Sequence, residues 1–189
     1  MSVNLFLTGP MRYGKSTLLS TIIKKTGVSI GGYFVQRLMA DGATKAFRLA
    51  DISCEPYIPD IELSDLEGRD IQTYSDLIGI FNENTTWHPE VFENTGVSII
   101  RQSLSKKKQF LLMDEIGRIE LKAPHFQEAV FDALIGWPTV LGVLKQENNQ
   151  FLDAIRNRDD VFVLDLNYIS HEAAAIQIIH SLIIQDTGG

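Results

Sequence analysis

Gly9-Pro10-Met11-Arg12-Tyr13-Gly14-Lys15-Ser16 decides the fold of this 189-residue chain. Before it runs Val3-Asn4-Leu5-Phe6-Leu7-Thr8, an apolar β-forming stretch. After it, from Lys15 to Lys25, Leu18, Leu19, Ile22 and Ile23 put apolar side chains on one helical face. The octapeptide fills every fixed position of G-x-x-x-x-G-K-[ST], the pattern of a phosphate-binding loop between a strand and a helix. Such a loop turns backbone N–H groups inward around phosphates, and its glycines permit the tight geometry. Lys15 is then placed to reach the β and γ phosphates, and the Ser16 hydroxyl to ligate Mg²⁺. The helix that begins here points its positive end at the same charge. Coincidence would produce the pattern in under ~1% of chains this long, and rarely in this context.

Outward from the loop, Gly31 to Arg37 and Phe47 to Ile52 read as strands, with Asp41-Gly42 as a hairpin signal between them. Their flanks are longer than a two-residue loop needs, and the pair reads as an antiparallel excursion at the sheet edge. Residues 53–90 carry Pro56, Pro59 and Pro89 and little sustained periodicity, so they read as an irregular insertion. From Gly96 the alternation returns. Val97, Ile100, Arg101 and Leu104 fit a helix ending in Lys106-Lys107-Lys108, cations that complement a helix C-terminus. Phe110 to Met113 is an apolar run suited to a buried parallel strand. Pro124 opens a helix whose inner face is Phe126, Ala129, Val130, Ala133 and Leu134. Thr139–Leu144 is a strand, Asn149–Arg156 a short helix and Val161–Leu164 a strand. Ser170 caps a last helix, with Ile176, Ile179 and Ile183 expected to face inward. The expected fold is α/β: a three-layer P-loop sandwich with a mostly parallel sheet and an antiparallel β excursion. Residues 1–189 are read as one domain interrupted by the 53–90 insertion.

The run Phe110-Leu111-Leu112-Met113 ends in Asp114-Glu115. Carboxylates at the C-terminal end of a buried parallel strand emerge where open α/β sheets bind ligands. Asp114 is therefore expected to hold Mg²⁺, directly or through water. Glu115, one residue on, is placed to orient or deprotonate an attacking water.

Composition narrows the class. With 44% apolar and 22% charged residues the chain is ordinary for a globular protein. A net charge of −7 argues against a dedicated nucleic-acid binder. No apolar run approaches the ~20 residues needed to span a bilayer. Met1-Ser2-Val3-Asn4 lacks the basic start of a secretion signal, and the single cysteine, Cys54, suits a reducing compartment. The expectation is a cytoplasmic chain without nucleic-acid or membrane partners, and no feature indicates a protein partner. His88, His125, His171 and His180 lack the spacing of a zinc site.

Asp114-Glu115-Ile116-Gly117-Arg118-Ile119-Glu120-Leu121, followed by Phe126, resembles the D-E-I-G-[KR]-[MI]-E-[LF]…F block of the THEP1-type nucleoside-triphosphatases, called cancer-related NTPases in their eukaryotic branch. A looser likeness runs through Val91–Val97 and Pro138–Asn167. The resemblance implies a P-loop domain that hydrolyses ATP, GTP and other nucleoside triphosphates to the diphosphate and phosphate with Mg²⁺. Carried over by position, Gly9, Pro10, Met11, Arg12, Tyr13, Gly14, Lys15, Ser16 and Thr17 would bind phosphate. Asp114 would bind the metal and Glu115 would activate water. Two positions depart from the family pattern. Arg12 stands where an additional glycine is usual, and Gln36 stands where the stretch after the first helix usually has an acid.

Phosphoryl transfer gains from an arginine near the developing charge. Arg118, just beyond the metal acid, is the first choice over Arg156 and Arg158. Asn167, after a late strand, could touch base or ribose, or simply form a turn. Two other functions share the loop. A small nucleotide or metabolite kinase would need an acceptor pocket and a water-excluding lid, which residues 53–90 could supply. A nucleotide-dependent switch module with little turnover would use bound triphosphate to order a surface for a partner.

Overall fold

Strand Asn4–Thr8 (β1) is buried at every position, as expected of a strand covered on both faces. The computed structural model describes residues 3–65 and 71–186. After the phosphate loop comes Lys15–Thr26 (α1), then the long strands Ile30–Ala40 (β2) and Ala43–Asp51 (β3). These strands run much closer together than the sequence suggests. Ala40 pairs with Ala43, so only Asp41 and Gly42 form the turn. Both have positive φ (53° and 73°), the conformation of a type I′ hairpin, which carries the right-handed twist of the strands straight through. A register shift at Leu38/Met39 absorbs the irregularity that hides this in the alternation pattern.

The 53–90 insertion adds to the same sheet. It holds Asp60–Glu62 (β4), Leu77–Ile80 (β5) and Thr86–Trp87 (β6), and residues 66–70 of it lie outside the described residues. A helical turn at Pro89–Val91 (α2) leads through a π-helical turn at Phe92–Gly96 into Val97–Ser105 (α3). The remainder alternates as expected: Phe110–Ile116 (β7), Pro124–Ile135 (α4), Thr139–Leu144 (β8), Gln150–Arg156 (α5), Val161–Asp165 (β9) and His171–Asp186 (α6). Asn149 caps α5 by accepting the Leu152 amide at 2.9 Å, and the Ser170 hydroxyl accepts the Ala173 amide at 3.1 Å.

Among the described residues the sheet has nine strands, in the order β6-β5-β3-β2-β7-β8-β1-β9, with β4 beside β2. Pairing is parallel from β2 across to β9 and antiparallel from β2 out to β6. One face is covered by α3, α4 and α5 around Phe6, Tyr33, Phe92 and Phe126. The other is covered by α1 and α6 against Leu5, Leu7, Phe34 and Leu112. The inner face of α6 is Ala174, Ile178 and Leu182, not the expected set: Ile176 and Ile183 are 62% and 57% exposed, and Ile179 is half-buried. The helix is apolar on several sides, so period alone does not choose its buried face, and packing beside α1 does. Among the described residues no helix is long and apolar enough to cross a membrane.

The start of α4 is capped from a distance. Ala123 offers no side-chain cap, and the Glu93 carboxylate instead accepts the His125 amide at 3.0 Å, the Phe126 amide at 3.3 Å and the His125 ring. Burial pushes the Glu93 carboxyl up, but these hydrogen bonds hold it below the ordinary glutamate value. Glu93→Ala is expected to cost about 1–2 kcal/mol in urea unfolding at neutral pH. A carboxyl depressed by folding contributes fully above its unfolded value of about 4.3 and loses that contribution as pH falls through the lower folded value. The gap between wild type and variant should therefore close in acid. An equal gap at both pH values would refute the cap.

Candidate active site

The phosphate loop is built by its two ends. Thr8 ends β1 and donates its hydroxyl to the Leu144 carbonyl of β8 at 3.0 Å, which fixes the loop's point of departure. Gly14, at φ 75°, turns the chain into α1 in the left-handed region that favours glycine. Arg12 occupies that region too, at φ 59°. Its departure from the family pattern therefore falls where glycine would be conformationally preferred. Lys15 is only 8% exposed, and its ammonium donates to the Gly9 and Pro10 carbonyls at 2.9 and 2.6 Å. Burial lowers the Lys15 pKa, Glu115 and Asp114 oppose this, and the nearby Lys145 adds to it. His171, opening α6, packs its ring 5.0 Å from that of Tyr13 and hydrogen-bonds the Tyr13 carbonyl through Nε2 at 2.6 Å. A carbonyl only accepts, so Nε2 carries the proton.

Asp114 is 1% exposed at the carboxyl end of β7. Ser16 donates its hydroxyl to Oδ1 at 3.1 Å, and the Tyr57 hydroxyl donates to Oδ2. Burial pushes the Asp114 carboxyl up to about 7; the Tyr57 and Ser16 bonds and the Lys15 charge pull it down, while Glu115 repels it. Tyr57 arrives on a strap formed by residues 52–59. Ser20 of α1 donates to the Tyr57 carbonyl at 2.7 Å, and the Tyr57 ring lies 4.9 Å from that of Phe34.

Gln36 then explains itself. Its amide donates to the Ile58 carbonyl at 2.7 Å and accepts from buried Arg48 at 2.7 Å. A carboxylate could accept from Arg48 but could not donate to the strap. Arg48 also pairs with Asp76 at 3.0 Å and with Glu55, and lies over the Tyr74 ring. Glu115 sits where the register between β7 and β8 shifts, as the extra residue of a bulge, and its Oε1 is 3.0 Å from the Lys145 ammonium.

Comparison with known proteins agrees with this architecture. A family model described as NTPase matches residues 4–179. The chain belongs to this NTPase family. Relatives in the family include a nucleoside-triphosphatase THEP1 of Thermotoga sp. (strain RQ2), 25% identical over 165 residues and 87% of each chain. The human cancer-related nucleoside-triphosphatase is 26% identical over 178 residues, covering 88% of this chain and 89% of its own. The crystal structure of THEP1 from Aquifex aeolicus shares the fold with a TM-score of 0.68 at 16% identity, over 94% of this chain and 97% of that one. The solution structure of the human family member gives 0.68 at 20% identity, over 95% and 97%.

The NTPase fold brings Lys15, Ser16, Asp114 and Glu115 into one cluster. Met11, Arg12, Tyr13 and Thr17 have exposed side chains. Arg118 is not in the cluster: its side chain is 69% exposed and 4.0 Å from Glu147. Arg156 bonds Asp153 and the Lys145 carbonyl, Arg158 pairs with Asp160, and Asn167 closes a turn on the Asp165 carboxylate. Sequence reading misses Tyr57, whose stretch carries no periodicity. It also misses Lys145, although a cation just past an apolar strand carries the same signal that marks Asp114.

Arg12→Gly should stabilise the chain by up to about 1 kcal/mol by relieving the left-handed backbone. Urea midpoints check this, and a destabilised variant would show that the guanidinium makes a compensating contact.

Proposed function

We propose that the chain is a Mg²⁺-dependent nucleoside-triphosphatase that converts ATP, GTP and related triphosphates to the diphosphate and phosphate. The observation that carries this reading is the cluster of a loop lysine, a helix-start hydroxyl and two consecutive carboxylates at the ends of β1 and β7. The names of the curated relatives support it. Ser16 and Asp114 offer oxygen donors 3.1 Å apart, a set that suits a hard cation completed by water and phosphate oxygens. When bound, Mg²⁺ would neutralise charge on the β and γ phosphates.

The chain's own residues supply the rest. Lys15 exchanges the loop carbonyls for phosphate oxygens, a short move for an ammonium already held among them. The loop amides and the start of α1 receive the remaining negative charge. Glu115 takes a proton from water as the water oxygen bonds to the γ phosphorus, and the bond to the β-bridging oxygen breaks with its electron pair left on the diphosphate.

Phosphate release from ATP, GTP, CTP and UTP, with and without Mg²⁺, tests the reading. Glu115→Gln should bind triphosphate but lose kcat by about 10²–10⁴. Lys15→Ala should lose turnover and triphosphate affinity together. Consumption only after an acceptor is added would point to a kinase, and tight binding without release to a switch module. Arg118→Ala would lose on the order of 10³ in kcat if Arg118 acts as the stabilising arginine. Its exposed placement favours a loss within about tenfold.

A further inference from the structure

Strand β8 is buried at all six positions and lies between β1, which leads into the phosphate loop, and β7, which carries the two carboxylates. The first residue beyond it is Lys145. Its main chain is held on both sides: its amide donates to the Ile116 carbonyl at 2.9 Å, and its carbonyl accepts from Arg156 at 2.7 Å. Its stem crosses Gly117, where an added methyl would stand 2.6 Å from the Lys145 Cδ. The ammonium is aimed at Glu115 Oε1, 3.0 Å away, with the side chain 33% exposed. Burial works against its charge, yet Glu115, Glu120 and Glu147 hold its pKa above the ordinary lysine value.

Two ammonium groups therefore bear on Glu115: Lys15, at the start of α1 behind β1, and Lys145, just past β8. The Lys145 charge works against that of Lys15, and each ammonium is occupied by groups of the protein: Lys15 by loop carbonyls, Lys145 by Glu115. Converging cations of this kind are satisfied by a polyanion, and the terminal phosphate is the end of the substrate nearest Glu115. The oxygen that Lys145 holds is one that Glu115 would turn towards water.

We propose that Lys145 is a second phosphate-binding, catalytic cation, which on arrival of a triphosphate exchanges Glu115 Oε1 for an oxygen of the terminal phosphate. The exchange stabilises charge on the transferred group and frees the Glu115 carboxylate to accept the water proton. Lys145 keeps its own protons throughout; the bonds made and broken are those of the hydrolysis described above. The catalytic half of the assignment rests on the hydrolase reading, whereas the phosphate contact does not.

The test uses the full chain carrying Lys145→Met, Lys145→Gln or Lys145→Arg, with Mg²⁺ present. Calorimetry gives affinities for ADP and for the non-hydrolysable β,γ-imido analogue of ATP, and phosphate release gives turnover. Lys145→Met should weaken the analogue about tenfold, the size of one lost ionic contact, and leave ADP within about twofold. Its turnover should fall by about 10²–10³. Lys145→Arg should keep the preference for the analogue. Equal losses for ADP and the analogue would show a structural lysine and overturn the proposal. So would an unchanged preference in Lys145→Met, or in Lys145→Gln if circular dichroism shows the methionine variant unfolded. A wild type without turnover, but with a preference lost in Lys145→Met, would sink the hydrolase reading and leave the phosphate contact standing.

Discussion

Asp114 accepts a hydroxyl on each oxygen, Ser16 from α1 and Tyr57 from the strap, while its own strand lies at the centre of the sheet. A carboxylate so nearly removed from water is costly unless its oxygens are answered, and here burial still raises its pKa despite the two bonds. The two hydroxyls tie the start of α1 and the strap to β7. The same constraint acts on Lys15, buried beside it and answered by the loop's own carbonyls. Fold and site are thus one problem. The parallel strands bring charges together, and the charges fix the loops that leave those strands.

The strap shows how far that constraint reaches. Tyr57 can stand on Asp114 because Ile58 is tied to Gln36, Gln36 to Arg48, and Arg48 to Glu55 and Asp76. Arg48 is itself buried, and a buried guanidinium left without one of its acids would cost several kilocalories, so the ties support one another. The middle of the chain therefore serves as a brace. Strands β4, β5 and β6 extend the sheet edge, and the segment between β3 and β4 lies over Asp114.

What the sequence makes legible is what short-range pattern encodes. The phosphate loop, the acids near the end of β7 and the inner face of α4 each follow from spacing within a dozen residues, although β7 itself runs past the acids to Ile116. The misses have physical causes. Strands β2 and β3 continue to Asp41-Gly42 because a type I′ turn needs no spare residues, while the shift at Leu38/Met39 breaks the alternation that would reveal it. The buried face of α6 is selected by α1, since isoleucines surround the helix. Tyr57 becomes a site residue through partners at Ser16, Ser20 and Asp114, none of which its neighbours in sequence announce.

The D-E-I-G block gains a residue-by-residue physical account from these contacts. Asp114 receives the hydroxyls. Glu115, as the bulged residue, turns its side chain away from the ladder and towards Lys145. Ile116 is buried, and its carbonyl accepts the Lys145 amide. At Gly117 the absent side chain leaves the space through which the Lys145 stem passes, since a methyl there would lie well inside contact distance. Two of these four positions thus bear the imprint of one residue some thirty places downstream, and a third is paired with it. A motif that reads as local is, in the folded chain, one half of a contact between β7 and the end of β8. The lysine that completes it stands just past the end of β8, the strand that lies beside the one carrying the two acids.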